Sequence, residues 1–516
     1  MFTSDMAESR QKTVVLQGLD AGMLREILSY IYSGTLHVSL DKVQPLYQAA
    51  DLLQLDYVRD SCSSYMAMSV ERSTCVDLYK FADVFSVENV RKACQKWIAR
   101  HFTEVASSEF CSLSVNNLIE IISHDELDVK EETTVWKAVV RWVQHRRKDR
   151  MHHLPTILSH IRFNLLTSDD TAAILEHPLV REDPGSCEVI KNVVKKGNPN
   201  LKPRLGMTTE MVLLLNQTPG HNEVLFMNPQ EGKYISCSYK YEDLPEESSV
   251  ETVTTDNDIY IMEIKYLEDE KKLSLLKYNH AENVWEPADV PSISMELEHD
   301  SSCHISEIDG TLYYLPIDED SSVLRMSKWD QHTKQWLECS SLQFEEFTFT
   351  YTFENRNSLS FTLSCGSHLY FLTNEEMHRY DPSQDRWSKR TPPIDIPNIC
   401  TAVAMGTEIF CTDVDFTQTM VYDTESDCWH KLQGPENPDV ADNRSPSFFV
   451  LGNQLHVLLI CVERPIMLRE GHLVYVYDRS ADAWRDLKAT LPNRRYDNDG
   501  PHWPVARIYL PYLKGA

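Results

Sequence analysis

The sequence is poor in the features that announce disulfide bonding, membrane insertion or catalysis. Its 13 cysteines stand singly, and the nearest two, Cys400 and Cys411, are 11 positions apart. That spacing excludes the close ligand pairs of a structural zinc site and the dense framework of a small secreted domain. The longest apolar run, HVLLICV at 456–462, is of strand length, far short of a membrane span. MFTSDMAESRQ at the start has no apolar signal stretch. Dinucleotide, P-loop, HExxH and GxSxG patterns are missing. Positive charge is scarce after residue 200. Residues 1–200 carry 27 acidic and 23 basic groups, which leaves 51 acidic and 27 basic groups for 201–516, so −24 of the formal charge of −28 lies there. Such a surface disfavours phosphate backbones. Neither nucleic acid nor membrane is an expected partner, and no cofactor or metal is expected. Two readings of the acidity stay open: a solvated surface, or a face for a basic target segment. Reduced thiols and the missing signal point to a cytoplasmic, or also nuclear, protein.

Enough is present for large cores: 42% of the 516 residues are apolar, with 10 Trp, 23 Tyr and 17 Phe. The length suggests about three domains. Residues 20–180 read as helices. Ala21–Ser33 places Met23, Leu24, Ile27, Leu28 and Ile31 on one face, with Asp20 as N-cap and Gly34 as stop. Ser86 is expected to cap a helix burying Val90, Cys94, Trp97 and Ile98; Val135, Val139, Trp142 and Val143 repeat that spacing. Pro45 is expected to disturb a helix carrying Val43, Tyr47 and Ala50. GNPNLKPRLG at 197–206 reads as a linker, and from Met211 short strand-like runs alternate with turns.

The strongest signal is a repeat. Tyr278, Trp329, Tyr380, Tyr422 and Tyr477 are each followed seven residues later by tryptophan, at Trp285, Trp336, Trp387, Trp429 and Trp484. Met227 and Tyr234 form a degenerate sixth copy, and Asn or Asp follows the first member in all six. The second members stand 51, 51, 51, 42 and 55 residues apart. A strand ends in an aromatic residue, Asx turns the chain, and Trp opens the returning strand as a cross-strand neighbour. Upstream of each tryptophan lies a further strand pair, such as HISEI then LYYL across Asp309-Gly310. Four strands per copy and six copies predict a six-bladed β-propeller in which these aromatics are structural core.

The unit YDPSQDRW at 380–387 resembles a kelch repeat. The glycine pair that kelch repeats carry after the second strand is replaced by IME, YLP, FLT, FCT and LLI, and the chain has only 16 Gly, so degenerate blades and an altered central channel are expected. Residues 123–167 resemble a BACK domain at Ser123, Asp125, Leu127, Val129, Glu132, Val135, Ala138, Trp142, Arg150, Leu154, Ile161, Arg162 and Leu165. Residues 1–69 resemble the later part of a BTB domain, with a strand at TVVLQGLD and the stretches IYSGTLHV and YQAADLLQLDYV. The chain is thus similar to the BTB–BACK–kelch family, and within it to the kelch-repeat-and-BTB-domain-containing proteins. The resemblance implies a multidomain architecture: partial BTB at 1–69, helical BACK at 70–196, linker at 197–206 and an all-β propeller at 207–516. It also implies a non-catalytic adaptor that holds an unknown protein substrate for a cullin-3 ubiquitin ligase. The family's cullin contact, an apolar residue, any residue, then Glu, matches Met6-Ala7-Glu8, so Met6 and Glu8 are the expected cullin-3 contacts. Family members form homodimers. The chain begins inside the BTB pattern, so weaker dimerisation and exposed apolar helix faces are expected. A form that binds targets without recruiting the ligase is the corollary.

Little else suggests chemistry. HRRKDR at 145–150 with His152-His153 invites a metal or phosphate reading, against a solvated inter-helix loop. Two rivals from other classes are a propeller oxidase using copper held by Tyr, His and Cys, and an actin-associated scaffold. Target contacts are expected from long loops at roughly 262–273, 342–356, 412–419 and 460–471, including the acidic-then-basic YLEDEKK at 266–272.

Overall fold

A computed structural model describes residues 18–105, 110–196, 202–216, 222–240, 248–266, 270–296, 301–318, 322–344, 360–393, 396, 399–434, 444–462, 470–489, 491, 496–497 and 502–513. The chain divides into two compact units, Met1–Thr208 and Thr209–Ala516. Met6, Glu8 and most of the strand expected at 13–20 lie outside the described residues.

The first unit is helical. Helix Ala21–Ser33 starts where the Asp20 carboxylate accepts from the backbone N–H groups of Gly22 and Met23, and stops at Gly34, whose φ of 73° suits a residue without Cβ. Of its expected apolar face only Met23 and Ile27 are buried; Leu28 and Ile31 are 44% and 55% exposed. Pro45 does not disturb helix Val43–Leu52, because it sits in the first turn, where its missing N–H has no helical acceptor to lose. Ser86 is not an N-cap: it closes helix Cys75–Phe85 with a φ of 54°, and Val87 precedes the next helix, Glu88–Arg100. Val135, Val139, Trp142 and Val143 on helix Glu132–His145 are all buried.

The stretch expected as a linker behaves differently along its length. Residues 197–201 are outside the described residues, but Arg204 has no exposure and pairs with Glu132. Leu205 N–H donates to Asp125 O at 3.0 Å. Gly206 passes so close to Val129 that a Cβ would stand 2.5 Å from its backbone nitrogen. Composition suggested a free connector; tertiary contacts fold its second half into the helical unit.

The second unit is a six-bladed β-propeller. Five sheets each use consecutive strands: Ser248–Val253 to Val284–Pro287 (blade 2), Ser301–Ile308 to Gln335–Glu338 (blade 3), Ser360–Cys365 to Arg386–Arg390 (blade 4), Ile399–Met405 to Cys428–Leu432 (blade 5) and Arg444–Leu451 to Ala483–Asp486 (blade 6). Blade 1 mixes the two ends of the unit. The C-terminal strand Val505–Ile508 pairs with Thr209–Asn216, which pairs onward with Glu223–Asn228 and Lys233–Ser238. The first strands of blades 2 to 6 touch in order, and Thr209–Asn216 of blade 1 touches those of blades 2 and 6. Asn257 of blade 2 grips the closing strand, accepting from Arg507 N–H and donating to Arg507 O, both at 2.6 Å. Sheets buried on both faces between neighbours explain why apolar runs outnumber clean alternation here.

Candidate protein-binding face of the propeller

The repeated aromatic pairs sit directly opposite each other in all six blades. Met227 faces Tyr234, Tyr278 Trp285, Trp329 Trp336, Tyr380 Trp387, Tyr422 Trp429, and Tyr477 Trp484. The five fully aromatic pairs have ring centroids 5.0, 5.6, 5.2, 5.1 and 5.3 Å apart in chain order. Each pair packs into the core shared with the preceding blade: Tyr278 and Trp285 join Phe226 of blade 1, Tyr477 and Trp484 join Phe410 and Val421 of blade 5, and Met227 and Tyr234 join Leu458 of blade 6.

A further part of the repeat escaped the sequence reading. The fifth residue after the first member has a positive φ in every blade: Gly232, Asn283, Lys334, Asp385, Asp427 and Asp482. Where the first member is tyrosine, this residue is Asn or Asp, and it accepts the tyrosine hydroxyl at 2.7, 2.7, 2.6 and 2.6 Å in chain order. Where it is Met227 or Trp329, with no hydroxyl, Gly232 or Lys334 suffices. The same oxygen also accepts from the segment leaving the preceding blade, from Tyr239 Oη at 2.9 Å, Ser340 N at 2.9 Å, Thr391 N at 3.2 Å and Gln433 N at 3.2 Å. Trp387 and Trp429 add indole N–H bonds to the Ser340 and Thr391 carbonyls at 2.8 and 2.7 Å. This covariation of Tyr with Asx five residues on was available in the sequence.

These units consume one end of every blade. Antiparallel order puts the turns joining first to second and third to fourth strands at one end, and those joining second to third at the other. The first end is tight, with Asp309-Gly310 and Gly452-Asn453 at φ between 48° and 79°, as two-residue hairpins require. The other end is uneven. In blades 4 and 5 the third strands, Met377–Asp381 and Thr419–Asp423, begin shortly before Tyr380 and Tyr422. In blades 2 and 6 they are Glu270–Asn279 and Glu470–Asp478. Four or five additional residues raise these hairpins by about 15 Å. Of the expected loops, 262–273 is therefore mostly paired strand, with Ile264 opposite Leu273, and the described ends of 460–471 are paired strand too, with Cys461 opposite Gly471. Their tips at 267–269 and 463–469, and 345–356 of a third expected loop, lie outside the described residues. In the fourth, Asp413 accepts from Thr417 N and Gln418 N at 2.6 and 3.0 Å and folds Phe416 inward, where it is 1% exposed. Blade 3 also carries its pairing outward, to Asp318 opposite Val323, so raised hairpins stand on blades 2, 3 and 6. Where kelch repeats turn on a glycine pair, Ile261-Met262-Glu263 and Leu458-Leu459-Ile460 carry the strand onward.

The axis holds a cavity of about 330 Å³ lined from all six first strands or their flanks, including Val253, His304, Leu363, Val403, Val450 and Trp503. His304 is buried, its Nε2 has no hydrogen-bond partner, and desolvation pushes its pKa down to about 4. Desolvation also brings His502 to about 4. Both rings are neutral near pH 7. Among the described residues no group of three or more His, Cys, Asp or Glu side chains is placed to hold a metal ion. Cys94 and Cys365 are buried, and desolvation pushes their thiols up to about 12 and 11. The 145–150 run is not uniformly solvated, since Arg150 is buried over the Trp142 ring at 4.0 Å.

Residues 75–176 match the family model described as BTB And C-terminal Kelch, and residues 1–63 match the Kelch-like protein 33-like BTB/POZ domain. The chain is 24% identical over 539 residues to Kelch repeat and BTB domain-containing protein 6 of Homo sapiens, covering 97% of this chain and 76% of that protein. It is 25% identical over 547 residues to Kelch repeat and BTB domain-containing protein 8 of Homo sapiens, covering 99% and 86%. Kelch-like protein 3 of Danio rerio is 34% identical over 186 residues, covering 36% of this chain and 31% of that protein.

Proposed function

We infer the function from one premise: this chain belongs to the BTB–BACK–kelch family. We propose that it is a non-catalytic substrate adaptor of a cullin-3 ubiquitin ligase. The propeller holds a protein target at the end of the blades that carries the unequal hairpins, and the BTB/BACK region, within the boundaries 1–69 and 70–196, reaches cullin-3. Such an adaptor forms no bonds itself. It raises the effective concentration of the target's lysines near the ligase's charged ubiquitin carrier.

The observation that carries this reading is the asymmetry of the blades. One end is committed to Tyr–Asx–Trp latches that join neighbours, while the other varies from blade to blade, as a recognition surface on a constant scaffold does. The acidic balance of 201–516 favours a basic target segment over nucleic acid. Capture of cullin-3 from cytoplasmic extract by the full chain, and by a Glu8→Lys variant, tests it. Capture by the parent and its loss in the variant are expected. Failure of the parent to capture cullin-3, with sedimentation on actin filaments instead, would replace the adaptor reading by a scaffold.

A further inference from the structure

One stretch of the helical unit has a charge opposite to that of the chain. From Arg141 to Arg150 stand five basic groups, Arg141, Arg146, Arg147, Lys148 and Arg150, against one acid, Asp149. The fold gathers them. Helix Glu132–His145 buries Val135, Trp136, Val139, Trp142 and Val143, and leaves Arg141, Gln144 and His145 exposed. Arg146 leaves helical geometry at φ −142° and ψ 65°, so the short turn Arg147–Arg150 starts afresh and Met151–His153 follows. Arg146, Arg147, Lys148 and His152 are exposed, and Arg147 pairs with Glu182. Arg150 is 8% exposed and donates to the carbonyls of Trp142 and Cys111 at 2.7 and 2.8 Å. A helix C-terminus favours nearby cations, but its dipole amounts to only about half an elementary charge. The crowding is costly: desolvation and then Arg146 lower the Arg150 pKa, and desolvation, His152 and Arg150 lower that of His153. An anionic partner would relieve that repulsion.

We propose that Arg146, Lys148 and His152, flanking the anchored Arg150 in the chain, dock an acidic segment of a partner protein on the helical unit. The patch is short and rich in arginine, whose fork matches carboxylates two bonds at a time. A long polyanion such as RNA, or an anionic membrane, would also meet the rest of a chain of net charge −28. At physiological salt the screening length is about 8 Å, so the patch acts on what touches it.

Fluorescein-labelled deca-glutamate, titrated against the full chain by anisotropy, tests the proposal. Binding that weakens with salt is expected, with a loss of about tenfold or more in an Arg146→Glu/Lys148→Glu variant. Arg147 and Arg150 stay in place, so an unchanged melting curve shows that the fold is intact. Lys137→Glu, exposed on the same helix, should bind as the parent does. Equal binding by parent and double variant would overturn the proposal. So would patch-dependent capture of phosphatidylserine vesicles or single-stranded RNA in preference to deca-glutamate. Loss of cullin-3 capture in the double variant would assign the patch to the ligase instead.

Discussion

Arg204 and Glu132, 72 residues apart in the chain, close on each other without solvent: Nε and a terminal nitrogen of the arginine donate to the two carboxylate oxygens at 2.7 and 2.6 Å. The arginine also reaches the carbonyls of Ile122 and His124 at 2.6 and 3.2 Å, and Glu132 accepts from Arg162 N at 3.0 Å. A buried pair of this kind is costly to halve, because the survivor keeps its charge without its partner. Arg204→Met should destabilise the helical unit by about 3–5 kcal/mol. An Arg204→Met/Glu132→Met double variant should lose less than the single one. Urea unfolding followed by far-UV circular dichroism measures both, and a single-variant loss within about 0.5 kcal/mol would show that the pair is not a latch.

The Tyr–Asx latch predicts a graded series in blade 4. Tyr380→Phe removes one hydrogen bond to Asp385 but leaves the bond from Ser340 N, so about 1 kcal/mol of propeller stability should go. Asp385→Val should cost more, because it loses both bonds and puts a β-branched residue at a φ of 47°. Asp385→Asn keeps an acceptor and tolerates that backbone, so it should be the mildest. Calorimetric melting of the three variants gives the order; a valine as mild as asparagine contradicts the latch.

The axial histidines predict a pH dependence. Unfolded imidazole titrates near 6.5, whereas His304 in the fold is held near 4. Between those values the unfolded chain takes up a proton that the folded chain refuses, so stability is complete above pH 6.5 and falls as pH drops toward 4. His502 acts in the same direction. His304→Gln should flatten the fall in urea midpoint between pH 6.5 and 4.5. An unchanged slope would mean that His304 is protonated at little cost.

Ring closure depends on the C-terminal strand. Ile508 lies opposite Thr209 and is 2% exposed, and Arg507 is gripped by Asn257 and pairs with Glu210 at 2.6 Å. Removing residues 505–516 should strip blade 1 of its first strand and broaden the propeller's melting into a non-cooperative one. The target binding proposed for the propeller should disappear with it. A sharp transition at the parental temperature would show that closure is dispensable.

The propeller was legible because its information is local. Two aromatics seven residues apart, with Asx between, specify one strand–turn–strand unit, and five such copies with the degenerate Met227–Tyr234 copy specify the ring. Helix Ala21–Ser33 was legible for the same reason, since Asp20 and Gly34 act on backbone groups within one turn of themselves. The expectations that failed rested on composition where position decides: Pro45 is harmless in a first turn, and Ser86 ends one helix instead of starting the next.

The sequence alone determined the repeat, its number of copies and the residues that must lie between blades, because neighbours in the chain are neighbours in each hairpin. It could not reveal that Val505–Ile508 completes the sheet begun at Thr209, that Arg204 belongs to Glu132, or that the hairpins of blades 2, 3 and 6 outgrow those of blades 4 and 5. Those depend on segments far apart meeting in space. Burial and unpaired polar groups settle such meetings globally, so only the folded chain decides them.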